Sequence, residues 1–328
     1  MRPDQRRPPS TRSPRGILAF AVVITIAAIV VPAPIWSQQP TVFRGRVDFV
    51  SVGVTVADHR HRLITDLGAS DFAIYEDGQP QTIRAFAAGA ETGPPLHVGV
   101  LLDVSGSQEL DLAFTQTAAI KFLRSLADAV DMTFIDFATE VRSARYAQSD
   151  FARLVEHVRG LKAGGYTALY DAIGVYLNGA ADQDGRKIMV LYTDGGDTRS
   201  SLDLGELMTL LKASDATVYA IGALDHQPVS VQASQRPILQ QIAEATGGAA
   251  FFPGRIKDLD RIYEQVVGEV RAQYTIGYLS TNEKADGAWR KVEIKITRTD
   301  AKRLRVRARK GYYAPSRRES ISFSPLAH

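Results

Sequence analysis

A chain of 328 residues with 45% apolar and 23% charged side chains has material for a large folded core and more than one domain, which excludes a disordered or low-complexity protein. Its formal charge of +3 misleads, because five arginines against one aspartate place +4 on the first 37 residues and leave −1 on the remainder; nothing in that balance points to nucleic acid. The absence of cysteine excludes disulfides, thiolate catalysis and zinc–cysteine sites, and leaves the compartment open.

Residues 1–37 read as an export signal. An arginine-rich stretch ends at Arg15, and the apolar run Ile17–Val31 is too short for a spanning helix but suits a signal peptide. Cleavage after Ser37 would leave a secreted or periplasmic protein without a membrane span; the alternative is an uncleaved N-terminal anchor. Arg6-Arg7 is a weak twin-arginine signal, since prolines follow it.

From Thr41 to Ala88 the pattern is β. Val47, Phe49, Val52, Val54 and Val56 approximate alternation with one irregularity, which a bulge would explain. His59-Arg60-His61-Arg62 reads as a solvated turn, because two histidines without a third ligand make a poor metal site. Asp77-Gly78 between Phe72–Glu76 and Thr82–Phe86 is a hairpin signal. This segment, 41–90, has too few strands to stand alone, and Gly89–Pro95 reads as a linker.

Residues 96–271 alternate strand and helix. Strands are expected at 96–102, 132–138, 141–147, 187–193, 216–222 and 249–252, and helices at 108–129, 150–161, 168–181, 203–213, 236–246 and 256–271. The fold class is therefore α/β, a doubly wound, mostly parallel six-stranded sheet with helices on both faces. In such a sheet, ligands bind in the crevice beyond the carboxyl ends of the strands. The run Leu96–Leu102 delivers Asp103, Ser105 and Ser107 there, and Ile188–Thr193 delivers Asp194 in Asp194-Gly195-Gly196. Between them, Gly164-Gly165-Tyr166-Thr167 opens a helix near Ala168, so the Thr167 hydroxyl faces the same crevice. Each residue alone is explained as a helix cap or turn residue. Together, hard oxygen donors at converging strand ends suit Mg²⁺, Mn²⁺ or Ca²⁺.

The set Asp103-x-Ser105-x-Ser107, Thr167 and Asp194 resembles the metal-ion-dependent adhesion site of von Willebrand factor type A domains. That resemblance covers residues 96–270 and implies that the two serines and the threonine ligate the ion directly or through water, with the aspartates holding it directly or from behind. It implies Mg²⁺ as the cofactor, with Mn²⁺ or Ca²⁺ as substitutes. A protein partner would supply an acidic residue to the open metal position. A wider similarity to secreted bacterial VWFA-related proteins rests on Phe72–Gly78, Thr167–Ala172, Thr246-Gly247-Gly248 with Phe251-Phe252, and Arg309–Tyr313. In integrin-type relatives the last helix shifts on ligand binding, and this sequence does not decide whether 256–271 has a second register. Asp171 and Asp197 lie near the set and read as supporting residues.

Enzymatic readings find little. Position 105, where a haloacid-dehalogenase-like phosphatase needs its second aspartate, is Ser105, and neither a G-x-S-x-G elbow nor a phosphate loop is present. His97, His157 and His226 read as packing or surface residues. A metal-dependent hydrolase, which an acid–base pair on the metal rim would favour, and a structural module with a vestigial metal site remain the alternatives to adhesion. The loop Leu224–Ser234 is either an ordinary connector or a place for partner specificity.

After the helix, Gln273–Tyr278, Arg290–Ile296 and Arg303–Arg309 read as strands. The last two alternate basic and apolar residues. Thirteen Lys/Arg against three Asp/Glu between Lys284 and Arg318 make either a solvated sheet face or a contact for an anionic surface. The segment 272–314 is expected to pair with 41–90 in a small β-sandwich into which the α/β domain is inserted. Residues 315–328 read as a disordered tail.

Overall fold

The computed structural model describes residues 49–89, 92–194, 196–225 and 227–316. The export signal with its cleavage site, the strand residues before Phe49, His226 and the tail beyond Ser316 lie outside the described residues. Among the described residues, no helix is long and apolar enough to cross a membrane.

The N-terminal segment supplies β1 (Phe49–Asp58), β2 (Phe72–Glu76), β3 (Gln79–Gln81) and β4 (Ile83–Ala88). Val50, Val52, Val54 and Val56 of β1 are buried in strict alternation while Phe49 lies on the other face, so the expected irregularity is a change of face at Phe49. The one register shift of this sheet falls elsewhere, at Gly277/Tyr278. Asp77 and Gly78 both have positive φ, as a two-residue hairpin turn requires. The hairpin partner of β2 is β3, however, and not the expected 82–86. The chain breaks at Thr82, and β4 crosses to the other sheet to pair with β11 (Tyr274–Leu279).

The α/β region follows as β5 (Leu96–Asp103), α1 (Leu112–Ser125), β6 (Asp131–Phe137), β7 (Val141–Ala147), α2 (Phe151–Arg159), α3 (Leu169–Ala180), β8 (Arg186–Thr193), α4 (Leu204–Ala213), β9 (Thr217–Gly222), α5 (Val229–Ala245), β10 (Ala249–Phe251) and α6 (Leu259–Ala272). The six strands lie in the order β10-β9-β8-β5-β6-β7, all parallel except β7. β5 and β8 are buried along their whole length, which is why they read as unbroken apolar runs. One face of the sheet packs on α1, α2 and α6, the other on α3, α4 and α5. α6 buries Leu259, Ile262, Tyr263, Val266, Val267 and Val270, the face its spacing marks.

Two helix starts differ from expectation. α1 begins at Leu112 rather than 108, because Gly106–Gln108 form a 3₁₀ turn in which Gln108 N–H donates to Ser105 C=O at 3.0 Å. α5 begins at Val229, so the expected loop 224–234 is half helix, and Pro237 lies inside it. Pro237 is exposed, so the carbonyl it leaves without a partner can turn to water, which makes a mid-helix proline tolerable there.

The C-terminal segment adds β12 (Trp289–Ile296), β13 (Leu304–Ala308) and β14 (Gly311–Tyr313). Two four-stranded sheets result, β13-β1-β11-β4 and β14-β12-β2-β3, each with two strands from either end of the chain. Their joint core holds the β1 valines, Phe72, Ile74, Tyr274 and Tyr278. Buried Glu76, just before the hairpin turn, accepts hydrogen bonds from Tyr278 Oη (2.8 Å), Tyr312 Oη (2.9 Å) and Ser280 Oγ (2.6 Å), which ties strands from both ends of the chain together. Gly247, with φ +78°, brings the α5–β10 turn against this sandwich, and Gly248 brings it against β9. A Cβ on Gly247 would lie 2.5 Å from the Ala308 carbonyl carbon, and one on Gly248 1.8 Å from Val218 O. Arg307 pairs with buried Glu269 on α6 across the same contact. The basic face is accordingly thinner than its composition suggests, since Arg290, Arg298 and Arg307 are held in internal ion pairs. Ser316, expected at the start of the tail, bridges to Asp286.

Candidate metal centre

The carboxyl ends of β5, β6 and β8 bring three loops together. Val104 N–H donates to Phe137 C=O at 2.9 Å, Gly164 N–H to Val104 C=O at 2.9 Å and Gly106 N–H to Gly165 C=O at 3.1 Å. The 164–167 loop is thus laced onto the Asp103–Ser107 turn. Gly165 has φ +82°, and a Cβ there would lie 2.4 Å from Thr139 Oγ1, the atom that accepts the Tyr166 N–H.

Four of the five expected ligands form one hydrogen-bonded set. Asp103 Oδ1 accepts the Ser105 N–H at 2.9 Å, Ser105 and Ser107 hydroxyls lie 3.1 Å apart, and Ser107 Oγ donates to Asp194 Oδ1 at 3.0 Å. Thr167 is brought alongside by the loop lacing and is buried, but its described hydrogen bonds are to Thr198 and Arg199 through its backbone, and none joins its hydroxyl to the other four.

Burial pushes the Asp103 carboxyl up to about 6; the charge of Asp194 adds to this, and hydrogen bonds from Ser105 and Thr193 oppose it. Burial also raises Asp194, against the Ser107 hydrogen bond. Among the described residues, no lysine, arginine or histidine is paired with either aspartate, and no three His, Cys, Asp or Glu side chains cluster as a metal group. A buried pair of carboxylates lacking a cationic partner, joined to neutral hydroxyls, is a donor set of hard oxygens that fits Mg²⁺, Mn²⁺ or Ca²⁺ and fits neither Zn²⁺ nor Cu²⁺.

Thr193 escapes sequence reasoning, whereas Asp171 and Asp197 read as supporting residues. Thr193 Oγ1 donates to Asp103 Oδ2 at 2.6 Å and holds the carboxylate from the neighbouring strand; its place directly before Asp194 was the only signal. Asp171 accepts the Ser201 and Leu202 N–H groups at 2.9 and 3.0 Å, and Asp197 accepts the Tyr170 N–H at 3.2 Å. These two aspartates therefore fasten the 197–202 loop to the start of α3, a supporting role. Leu110, Tyr166 and Val229, the last at the start of α5, stand exposed.

The described histidines are accounted for away from it. Buried His97 joins Asp131 Oδ2 and the Asp184 carbonyl, each at 3.0 Å, at the opposite end of β5. His157 links Tyr146 Oη (2.7 Å) to Asp136 Oδ1 (3.1 Å) and pins α2 to the β6–β7 pair. His59 and His61 are exposed on the turn that Asp58 caps through the Arg60 and Arg62 N–H groups.

An open α/β sheet with a hydroxyl–carboxylate crevice at the ends of its central strands defines a class of ligand-binding domain. The von Willebrand factor type A domain model matches residues 97–265, and the chain belongs to that family. No curated protein matches it. Among solved structures, it is similar to a von Willebrand factor type A protein from Catenulispora acidiphila, with 14% identity, a TM-score of 0.47, and coverage of 76% of this chain and 74% of that one. The PilB minor pilin from Streptococcus sanguinis shows 12% identity and a TM-score of 0.46 over 56% of this chain and 63% of that one. The pilus adhesin SpaC from Lactobacillus rhamnosus GG shows 12% identity and a TM-score of 0.45 over 76% and 48%. The chain thus spans less than two thirds of the length of either pilus protein.

Proposed function

We propose that this is an exported adhesion or scaffold protein that binds a protein partner through a divalent cation. Asp103, Ser105, Ser107, Thr167 and Asp194 hold the ion, Mg²⁺ with Mn²⁺ or Ca²⁺ as substitutes. The observation that carries the reading is the pair of buried aspartates that no cationic side chain neutralises among the described residues. Keeping both ionised costs stability that a positive charge from outside the chain would restore. A bound Mg²⁺ surrounded mainly by neutral hydroxyls keeps electrophilic character, and an acidic side chain of the partner can complete its coordination. Within this chain, the Thr193 hydroxyl and the Ser105 N–H orient Asp103, the Ser107 hydroxyl orients Asp194, and exposed Leu110, Tyr166 and Val229 offer apolar contact to what approaches. Export rests on residues 1–37.

The test is proton relaxation of water in the Mn²⁺-loaded protein. Acetate should displace coordinated water and lower the relaxation enhancement, whereas acetamide should not. No acetate effect at any concentration would remove the open carboxylate position on which adhesion depends.

A further inference from the structure

Away from the metal crevice, one edge of the β-sandwich is left open. β1 pairs with β11 along Phe49–Val54, but with β13 only along Val54–Asp58. Beyond Ala308 the chain leaves that sheet, and β14 pairs with β12 in the other. Among the described residues, Phe49–Gly53 therefore have a neighbouring strand on one side only. In an antiparallel strand every second residue turns its N–H and C=O away from a given neighbour, so this stretch presents unpaired ladder groups on the side where β13 is missing.

That edge opens into a groove of roughly 1180 Å³ between β1, the end of β14 and the exposed faces of α3 and α4. Four of its lining side chains are large, apolar and solvent-exposed: Phe49 at 53%, Val175 at 41%, Leu210 at 40% and Tyr313 at 39%. They come from four elements around one space, unlike the scattered apolar residues of an ordinary surface. The charged lining is mostly committed. Both Asp171 oxygens accept backbone N–H groups, and Asp215 is paired with Lys187 at 2.6 Å. Arg309 is the exception: one nitrogen donates to the Ser214 carbonyl at 3.3 Å and the guanidinium lies 5.6 Å from the Tyr312 ring centroid, while its Nε–H is buried and has no acceptor among the described residues.

We propose that this groove is a strand-addition site for a partner polypeptide. The occupant is an extended segment that pairs with Phe49–Gly53, places alternate apolar side chains on Val175, Leu210 and Tyr313, and carries an acidic residue that meets Arg309. Main-chain pairing supplies affinity, and the apolar wall with its single cationic group supplies selectivity.

The probe is a short fluorescein-labelled peptide that alternates valine and threonine and ends in aspartate, added to the full-length protein and followed by anisotropy. Saturable binding is expected, weakened about tenfold or more by Leu210→Glu or Val175→Glu, which place a charge in the apolar wall. Both changes are on exposed helix faces, and an unchanged melting temperature shows that the variants fold. N-methylation of alternate amides along one edge of the peptide should abolish binding, and the same change along the other edge should not. Absence of binding, indifference to the glutamate variants, or equal effects from both methylated edges would overturn the proposal. Self-association of the protein that the Leu210→Glu change abolishes would also overturn it, by assigning the edge to a second copy.

Discussion

Replacing Asp103 with asparagine isolates the electrostatics of the crevice. Burial raises this carboxyl from its ordinary 3.8 to about 6. At neutral pH the folded state therefore carries about 3 kcal/mol of unfavourable charge burial at this one residue. Asparagine removes the charge while keeping an oxygen for the Ser105 N–H, at the expense of the bond from Thr193 Oγ1, which is worth about 1 kcal/mol. In EDTA at pH 7.5 the Asp103→Asn protein should thus be more stable than the parent by about 2 kcal/mol in urea unfolding. The sign with pH follows from the same shift. The folded parent binds the proton more tightly than the unfolded chain, so its cation-free stability is highest below about pH 4 as far as this group is concerned, and falls as pH rises through about 6. The variant should lack that fall. With Mg²⁺ at a hundred times its dissociation constant the parent should regain about 2.7 kcal/mol, and the variant far less. A variant less stable than the parent in EDTA, together with a parent indifferent to Mg²⁺, would refute the reasoning.

Three further outcomes concern the frame around the site. Arg307→Ala leaves Glu269 buried without its partner and should cost about 3 kcal/mol in urea unfolding. Glu76→Gln, which turns an amide N–H₂ toward hydroxyls that now donate to the carboxylate, should cost about 1–3 kcal/mol while leaving the Mg²⁺ response unchanged. Gly248→Ala drives a Cβ into the Val218 carbonyl and should cost about 3 kcal/mol, against less than about 0.5 kcal/mol for Gly254→Ala, which meets nothing within 4 Å. Thermal or urea melts of the pair decide it.

The α/β layer was legible because its central strands are buried on both faces and therefore mostly apolar, ending abruptly in a polar turn, as Leu96–Leu102 does before Asp103. The sandwich was legible from a deficit, since neither end of the chain has enough strands of its own. Pairings set by tertiary context were not. The hairpin after Asp77-Gly78 was visible, but the departure of β4 to a second sheet depends on β11, some two hundred residues on in sequence. The helix expected at 236–246 begins at Val229, and only the exposed position of Pro237 allows it to run through that proline. At the crevice, Asp103, Ser105, Ser107 and Asp194 were visible from their strand-end positions. Thr193 and Thr198 were not, because each acts on a residue of another strand or loop. Thr167 is the one expected ligand whose hydroxyl has no described bond to the rest, and Thr167→Ala should lower metal affinity without the stability gain foreseen for Asp103→Asn.

The most direct measurement is calorimetric titration of the chain from Gln38 onward with Mg²⁺ and Mn²⁺, repeated on Asp103→Ala. The account predicts a single saturable site in the parent and none in the variant. An absence of binding up to millimolar metal in the parent, or the same isotherm in both proteins, would contradict it.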